Sequence, residues 1–194
     1  NININDLYKD GLQRDQFIPF LKILENNCYQ ERLLINEDYR LSQNTNLDRF
    51  LSPLNESNNF IFNKFFRKIT KNKEKDVKIL EIKGRKFHIE NFYEGVVKFK
   101  FDELCDRNLG SEDYISLVNN CNFIFIENLP KFDENNSNQQ YRFITLIDII
   151  YEKKIPLMIT SQLDLNLMKS SKSLSEPFKR TISRLYELTS MKYN

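Results

Sequence analysis

Histidine occurs once in the 194 residues, at His88, and glycine only four times, at Gly11, Gly84, Gly95 and Gly110. Each shortage closes a route. One histidine and three cysteines without close spacing (Cys28, Cys105, Cys121) give no zinc pattern. The odd cysteine count fits a reducing compartment. Four scattered glycines supply no GxxxxGK[ST] loop to cradle phosphates, and Gly84-Arg85-Lys86 is no substitute for one. No run approaches the ~20 apolar residues of a membrane-spanning helix. Charges nearly cancel, 29 basic against 27 acidic, so the global field does not demand a nucleic-acid partner. What the chain has is bulk: 16 Phe and 9 Tyr within 40% hydrophobic content, which argues for a packed core over disorder. The length suits one sizeable core, or one domain and part of another. A chain that opens on Asn and holds no P-loop reads as part of a longer protein.

The periodicity predicts a mixed α/β chain. A helix is expected over Asp15 to Asn26, with Phe17, Phe20, Leu21 and Leu24 on one face. Pro19 fits only if the helix begins near it. "NEDYRLSQNTNLDRFLSPLNES" reads as loop with room for short helical turns, and "NFIFNKFFRKI" as a helix or a strand. "TKNKEKD" is a solvated turn. "VKILEIKGRKFHIE" alternates about Gly84 as a hairpin would, and "VVKFKF" alternates too. Ser111 is placed as the cap of a short helix. The run from Phe123 to Ser161 reads strand–helix–strand, a parallel α/β unit, with the helix over Tyr141 to Lys153. A last helix runs from about Glu176 or Pro177 to Met191.

Arginines are the main candidates for chemistry. Arg14 follows a glycine turn and leads into the first helix; a guanidinium there offers a rigid donor fork to phosphate or to a surface carboxylate. Arg142 opens the clearest helix on this reading, against the usual preference for acids at that end, so an anion is expected near it: a ligand phosphate, Glu127 or Asp148. Arg180 and Arg184 are four apart on the last helix and share a face, as a phosphate-facing or a salt-bridged pair. "EDYR" at Glu37 to Arg40 reads as an ion-pair corner, and the acids of "FDELCD" as structural. Buried packing is expected of Cys105. "FIFIENLP" invites a Walker B reading with Glu127 as the acid, but the paired acids and the phosphate cradle are missing, so a core strand is expected.

Six strings occur in order: "LYKDGLQRDQFIPF", "NEDYR", "FKFDELC", "GSEDYISL", "YRFITLIDIIYE" and "FKRTISRLYELTSMKY". Together they resemble the C-terminal part of the ZapE-type cell-division ATPases, of the AAA+ branch of P-loop ATPases, with mitochondrial relatives. The resemblance covers the whole chain apart from a divergent stretch near 41–76. It implies an AAA+-type α/β fold portion that lacks the upstream P-loop and Walker B segments. The expected parts are a sensor and arginine-finger segment (1–40), a divergent insertion (41–76), a β-rich segment with a short helix (77–121), and a strand–helix–strand with a C-terminal helix (122–194). By the same resemblance Asn1 corresponds to the sensor asparagine, and Arg14 to the GLQR arginine, the best finger candidate. Arg142 corresponds to the second arginine of an RRF segment whose first is Tyr141 here. Arg180 and Arg184 fall in the RT.SRL segment, approaching nucleotide or an adjacent subunit. ATP and Mg²⁺ are implied, both requiring the upstream segment. So are self-association and cell-division or inner-membrane quality-control partners, in the cytoplasm and peripheral at the inner membrane, or in mitochondria.

Two other readings are kept. One is a noncatalytic adaptor or oligomerisation module of the same family. The other is a nucleic-acid binder using the basic residues near 64–75 with Phe60, Phe62, Phe65 and Phe66.

Overall fold

A computed structural model describes residues 14–27 and 49–191. The chain divides into two compact units, Asn1–Ser42 and Gln43–Asn194. In the first, the described element is helix α1, Arg14–Asn27. It passes through Pro19 instead of starting there, so the missing proline N–H falls in its second turn. Asn1, the "EDYR" corner and Cys28 lie outside the described residues.

The second unit is built on one six-stranded sheet: β1 (Phe50–Leu51), β2 (Asp76–Ile82), β3 (Arg85–Tyr93), β4 (Val96–Lys100), β5 (Phe123–Leu129) and β6 (Leu157–Ser161). Their spatial order is β1-β6-β5-β4-β3-β2. The first four in that order are parallel; β3 and β2 continue antiparallel. Both antiparallel connections are two-residue turns at positive φ, Lys83-Gly84 and Glu94-Gly95. That conformation suits glycine at the second position and follows the right-handed twist of the strands.

One face of the sheet carries α3 (Phe101–Cys105), α4 (Ser111–Val118), α5 (Ser137–Glu152) and α6 (Ser175–Ser190). The other carries α2 (Glu56–Thr70), so "NFIFNKFFRKI" is helix. Phe62 and Phe66 of α2 close edge-on over Phe125 at ring distances of 5.2 and 5.1 Å. Burying a phenylalanine of this kind stabilises by about 2–3 kcal/mol. It also withdraws Phe62 and Phe66 from the stacking surface that a nucleic-acid reading needs.

β5, α5 and β6 form the expected parallel unit, with Phe143, Leu146, Ile147 and Ile150 fully buried along α5. Four starts differ. "DRFLSP", read as loop, holds β1 beside β6. α5 begins at Ser137, so Arg142 sits in its second turn and the helix-start argument for it falls away. Gly110, not Ser111, is the cap of α4; the Asp113 carboxylate reaches back to the Gly110 N–H at 2.8 Å. Phe101 leaves the alternating run to start α3. Among the described residues no helix is long and apolar enough to cross a membrane.

Candidate functional site

Positions 180, 184 and 187 follow helical spacing on α6, and 148 and 151 on α5, so two stripes can meet where the helices pack. They do. Asp148 accepts from Arg180 Nη2 at 2.7 Å through one oxygen and from Arg184 Nη1 through the other. The Arg184 guanidinium lies 4.8 Å over the Tyr151 ring. Tyr151 donates its hydroxyl to Glu187 Oε2 at 2.6 Å. Two guanidinium groups and two carboxylates balance here. Arg180 is more than half exposed and Arg184 largely covered, so Arg180 is the accessible end of the pair.

Arg142 shares no partner with this pair. Its Nη1 donates to the Cys105 carbonyl at 3.1 Å, placing a cation at the C-terminal end of α3, where helix carbonyls lack partners. The two carboxylates expected beside it are used elsewhere: Asp148 by Arg180 and Arg184, Glu127 by Lys98 at 3.6 Å. Burial pushes the Cys105 thiol well above its ordinary range, with the Arg142 charge a smaller opposing effect. That leaves Cys105 an inert core residue, as expected of it. Arg14 is the first residue of α1 and half-buried, in the other unit.

Glu127 lies two residues before the end of β5, on the α2 side of the sheet. The Lys98 ammonium beside it also donates to Asn63 Oδ1 at 3.4 Å and lies 5.0 Å over the Phe66 ring. The "FDELCD" acids are structural: Glu103 accepts the Lys100 N–H at 2.6 Å, Asp102 the Glu103 N–H at 2.9 Å, and Asp106 the Gln139 amide at 3.0 Å. His88 is exposed on β3. No group of three or more His, Cys, Asp or Glu among the described residues is fit to hold a metal. Mg²⁺ is therefore given no ligand here.

Two arginines that sequence reasoning passed over are well placed. Arg49 is buried and reaches the carbonyls of Thr189 and Leu188 at 3.0 Å each, and that of Met191. Arg85 holds both oxygens of buried Asp113 at 2.9 and 3.0 Å, tying the β2–β3 hairpin to α4. A proline-flanked loop gives no signal for the first. The second is legible only as a base just after a turn and an acid just inside a helix.

The profile of the AFG1-like ATPase family matches residues 1–194. The chain is 27% identical over 193 residues to the cell division protein ZapE of Escherichia coli K12, covering 100% of this chain and 52% of that one. It is 30% identical over 160 residues to an uncharacterized protein of Schizosaccharomyces pombe, 81% of this chain and 35% of the other. Against lactation elevated protein 1 homolog B of Danio rerio the identity is 28% over 166 residues, 83% and 33%. No solved structure matches. The chain spans about half the length, or less, of the curated relatives it matches. With the profile matched from its first residue to its last, the chain belongs to the AFG1-like ATPase family.

Proposed function

We propose that these residues serve an ATP-hydrolysing AAA+ machine by supplying arginines, with the phosphate-binding loop contributed from outside the chain. The family match over all 194 residues carries this reading. Arg14 is the arginine finger: its fork reaches the nucleotide of a neighbouring subunit and stabilises charge on the transferring phosphoryl group. Arg180 and Arg184 sense phosphate. Their chemistry supports this, since the pair already holds one anion, Asp148, and Arg180 is open to solvent. A phosphate must displace that carboxylate to reach them. Arg142 and Asn1 complete the set as nucleotide-side residues. ATP and Mg²⁺ enter through the parent protein, and kinship with the family supports self-association and a cell-division or inner-membrane quality-control client. Work in the cytoplasm, peripheral at the inner membrane, or in mitochondria follows from the same kinship.

The test is ATP turnover by the full-length protein. Arg14→Ala is expected to lower kcat by about a thousandfold or more, the scale of an arginine finger. Arg180→Ala is expected to weaken nucleotide binding by about tenfold, the 1–2 kcal/mol of a charged hydrogen bond. The 194-residue chain alone is expected to turn over little or no ATP. Wild-type kcat in Arg14→Ala sinks the finger assignment, and ordinary turnover by the isolated chain sinks the whole reading.

A further inference from the structure

α2 buries one side on the sheet and turns the other to solvent. Phe62, Phe66 and Thr70 make the buried side. At about 100° per residue, the residues opposite them form one stripe: Ile61, Lys68, Lys64, Lys71, Phe60 and Arg67, in that order around the axis. All six are exposed, Phe60 to 60% and Ile61 to 43%. At 1.5 Å per residue the stripe is about 17 Å long. Its two apolar residues sit at the N-terminal end and its four cations run on from them, Lys71 standing at the C-cap.

Charge is concentrated here. From Glu56 to Lys75 there are six basic and two acidic residues, a net +4, so the remaining residues come to −2 within the chain's total of +2. Lys64, Arg67, Lys68 and Lys71 have no ion-pair partner among the described residues, whereas Arg180 and Arg184 share Asp148 and Lys98 has Glu127. The helix dipole favours cations in a last turn. That covers Arg67, Lys68 and Lys71, but neither Lys64 nor the exposure of Phe60 and Ile61. Whatever meets the stripe must be anionic and must offer apolar depth beside the charge. An anionic lipid surface supplies both, phosphates for the cationic heads and the acyl boundary beneath them for Phe60 and Ile61. The long lysine and arginine stems let the heads stay at phosphate level. A nucleic acid matches less of it, since Ile61 gives no face on which a base stacks. An acidic protein segment docks in a groove or along a strand edge, and the stripe is the convex side of one helix.

We propose that the solvent side of α2 is a docking surface for an anionic membrane. Phe60 and Ile61 enter the boundary between headgroups and acyl chains, and Lys64, Arg67, Lys68 and Lys71 lie on lipid phosphates. The inference deepens the peripheral location proposed above, on which it rests, by naming the surface. It uses none of the arginines given nucleotide roles.

The experiment is co-sedimentation of the full-length protein with vesicles of equal parts phosphatidylglycerol and phosphatidylcholine, against vesicles of phosphatidylcholine alone. Binding is expected to the first and to be roughly tenfold or more weaker to the second. Each basic residue near an anionic surface contributes about fivefold in affinity. Lys64→Gln with Lys68→Gln removes two such residues and keeps good helix formers at exposed positions, so binding about twenty- to thirtyfold weaker is expected. These 194 residues contain no tryptophan, so Phe60→Trp adds a reporter to the stripe. Its added emission is expected to move to shorter wavelength when vesicles bind. Wild type that ignores anionic vesicles overturns both the surface and the peripheral location. Unchanged affinity in the double variant, or Phe60→Trp emission that stays in place on binding, overturns the surface alone. So does single-stranded RNA or polyglutamate bound through Lys64 and Lys68 where vesicles are not. Vesicle binding is read without ATP turnover, so its failure leaves the nucleotide roles, tested by Arg14→Ala, untouched.

Discussion

Three carbonyl oxygens at the end of α6 converge on the Arg49 guanidinium, which also lies 5.2 Å over the Phe123 ring. Burial lowers its pKa to about 10, so it stays charged at neutral pH and neutralises the negative end of the helix. Arg49→Met keeps the bulk and strands those carbonyls; a loss of about 2–4 kcal/mol is expected in urea unfolding. The buried thiols make a second residue-scale prediction. Burial pushes the Cys121 thiol up to about 12 from an ordinary 9.0. Its folded pKa is raised, so its contribution is full below pH 9 and is lost as pH rises toward 12. The slope is about 1.4 kcal/mol per pH unit for one such thiol. Denaturation series at alkaline pH should show a shallower fall in Cys121→Ala. Individual residues were the least legible part of the sequence. The four-residue spacing of Arg180 and Arg184 was plain, but spacing along one helix does not say what lies across from it. Asp148 serves Arg180 and Arg184 and not Arg142, because positions 142 and 148 are six residues apart on α5, about 240° around its axis, and so face different neighbours.

At the scale of elements, the join between α5 and α6 and the two tight hairpins are where small changes tell. Asp148→Ala removes the carboxylate from between two guanidinium groups. The site is partly open to solvent, so only about 1 kcal/mol of stability is expected to go. The same change frees Arg180 and Arg184, and tighter nucleotide binding by the full-length protein is the expected companion if they sense phosphate. Gly95 is more constrained than Gly84. It has φ +87, and an added Cβ would lie 2.7 Å from Asn122 Nδ2, itself bound to the Glu94 carbonyl at 3.1 Å. Gly95→Ala is expected to cost about 1–3 kcal/mol, seen as a lower midpoint in thermal unfolding. Elements were the most legible scale. Alternation about Gly84 and the 3.6-residue stripe of α5 each encode a buried face directly. β1 was not legible, since a two-residue strand has no period to read; it exists because β6 offers it an edge.

For the molecule as a whole, the sheet separates two kinds of surface. The α5–α6 side holds the paired arginines, and the opposite face carries α2, with Phe60 and Ile61 exposed. Each arginine with a proposed nucleotide role in this unit is already bound to an acceptor of its own chain, Arg142 to Cys105 and the other two to Asp148. On the proposed roles, nucleotide sensing would act by exchange of partners, a discrete rearrangement of the kind that couples a ligand to a change of state. Ordered short strings made the family legible, whereas the register shift between β2 and β3 near Glu90-Asn91 was not, because a bulge is a mismatch between two strands and not a pattern in one.

The measurement that tests the central claim most directly is ATP hydrolysis by mixed subunits of the full-length protein. One copy carries Arg14→Ala; the other keeps Arg14 but lacks its own phosphate-binding lysine. Each alone is predicted to fall by about a thousandfold or more, and the mixture to regain a substantial share of turnover, because Arg14 of one copy serves the nucleotide of the next. Full activity in the Arg14→Ala copy alone, or no recovery on mixing, would contradict it.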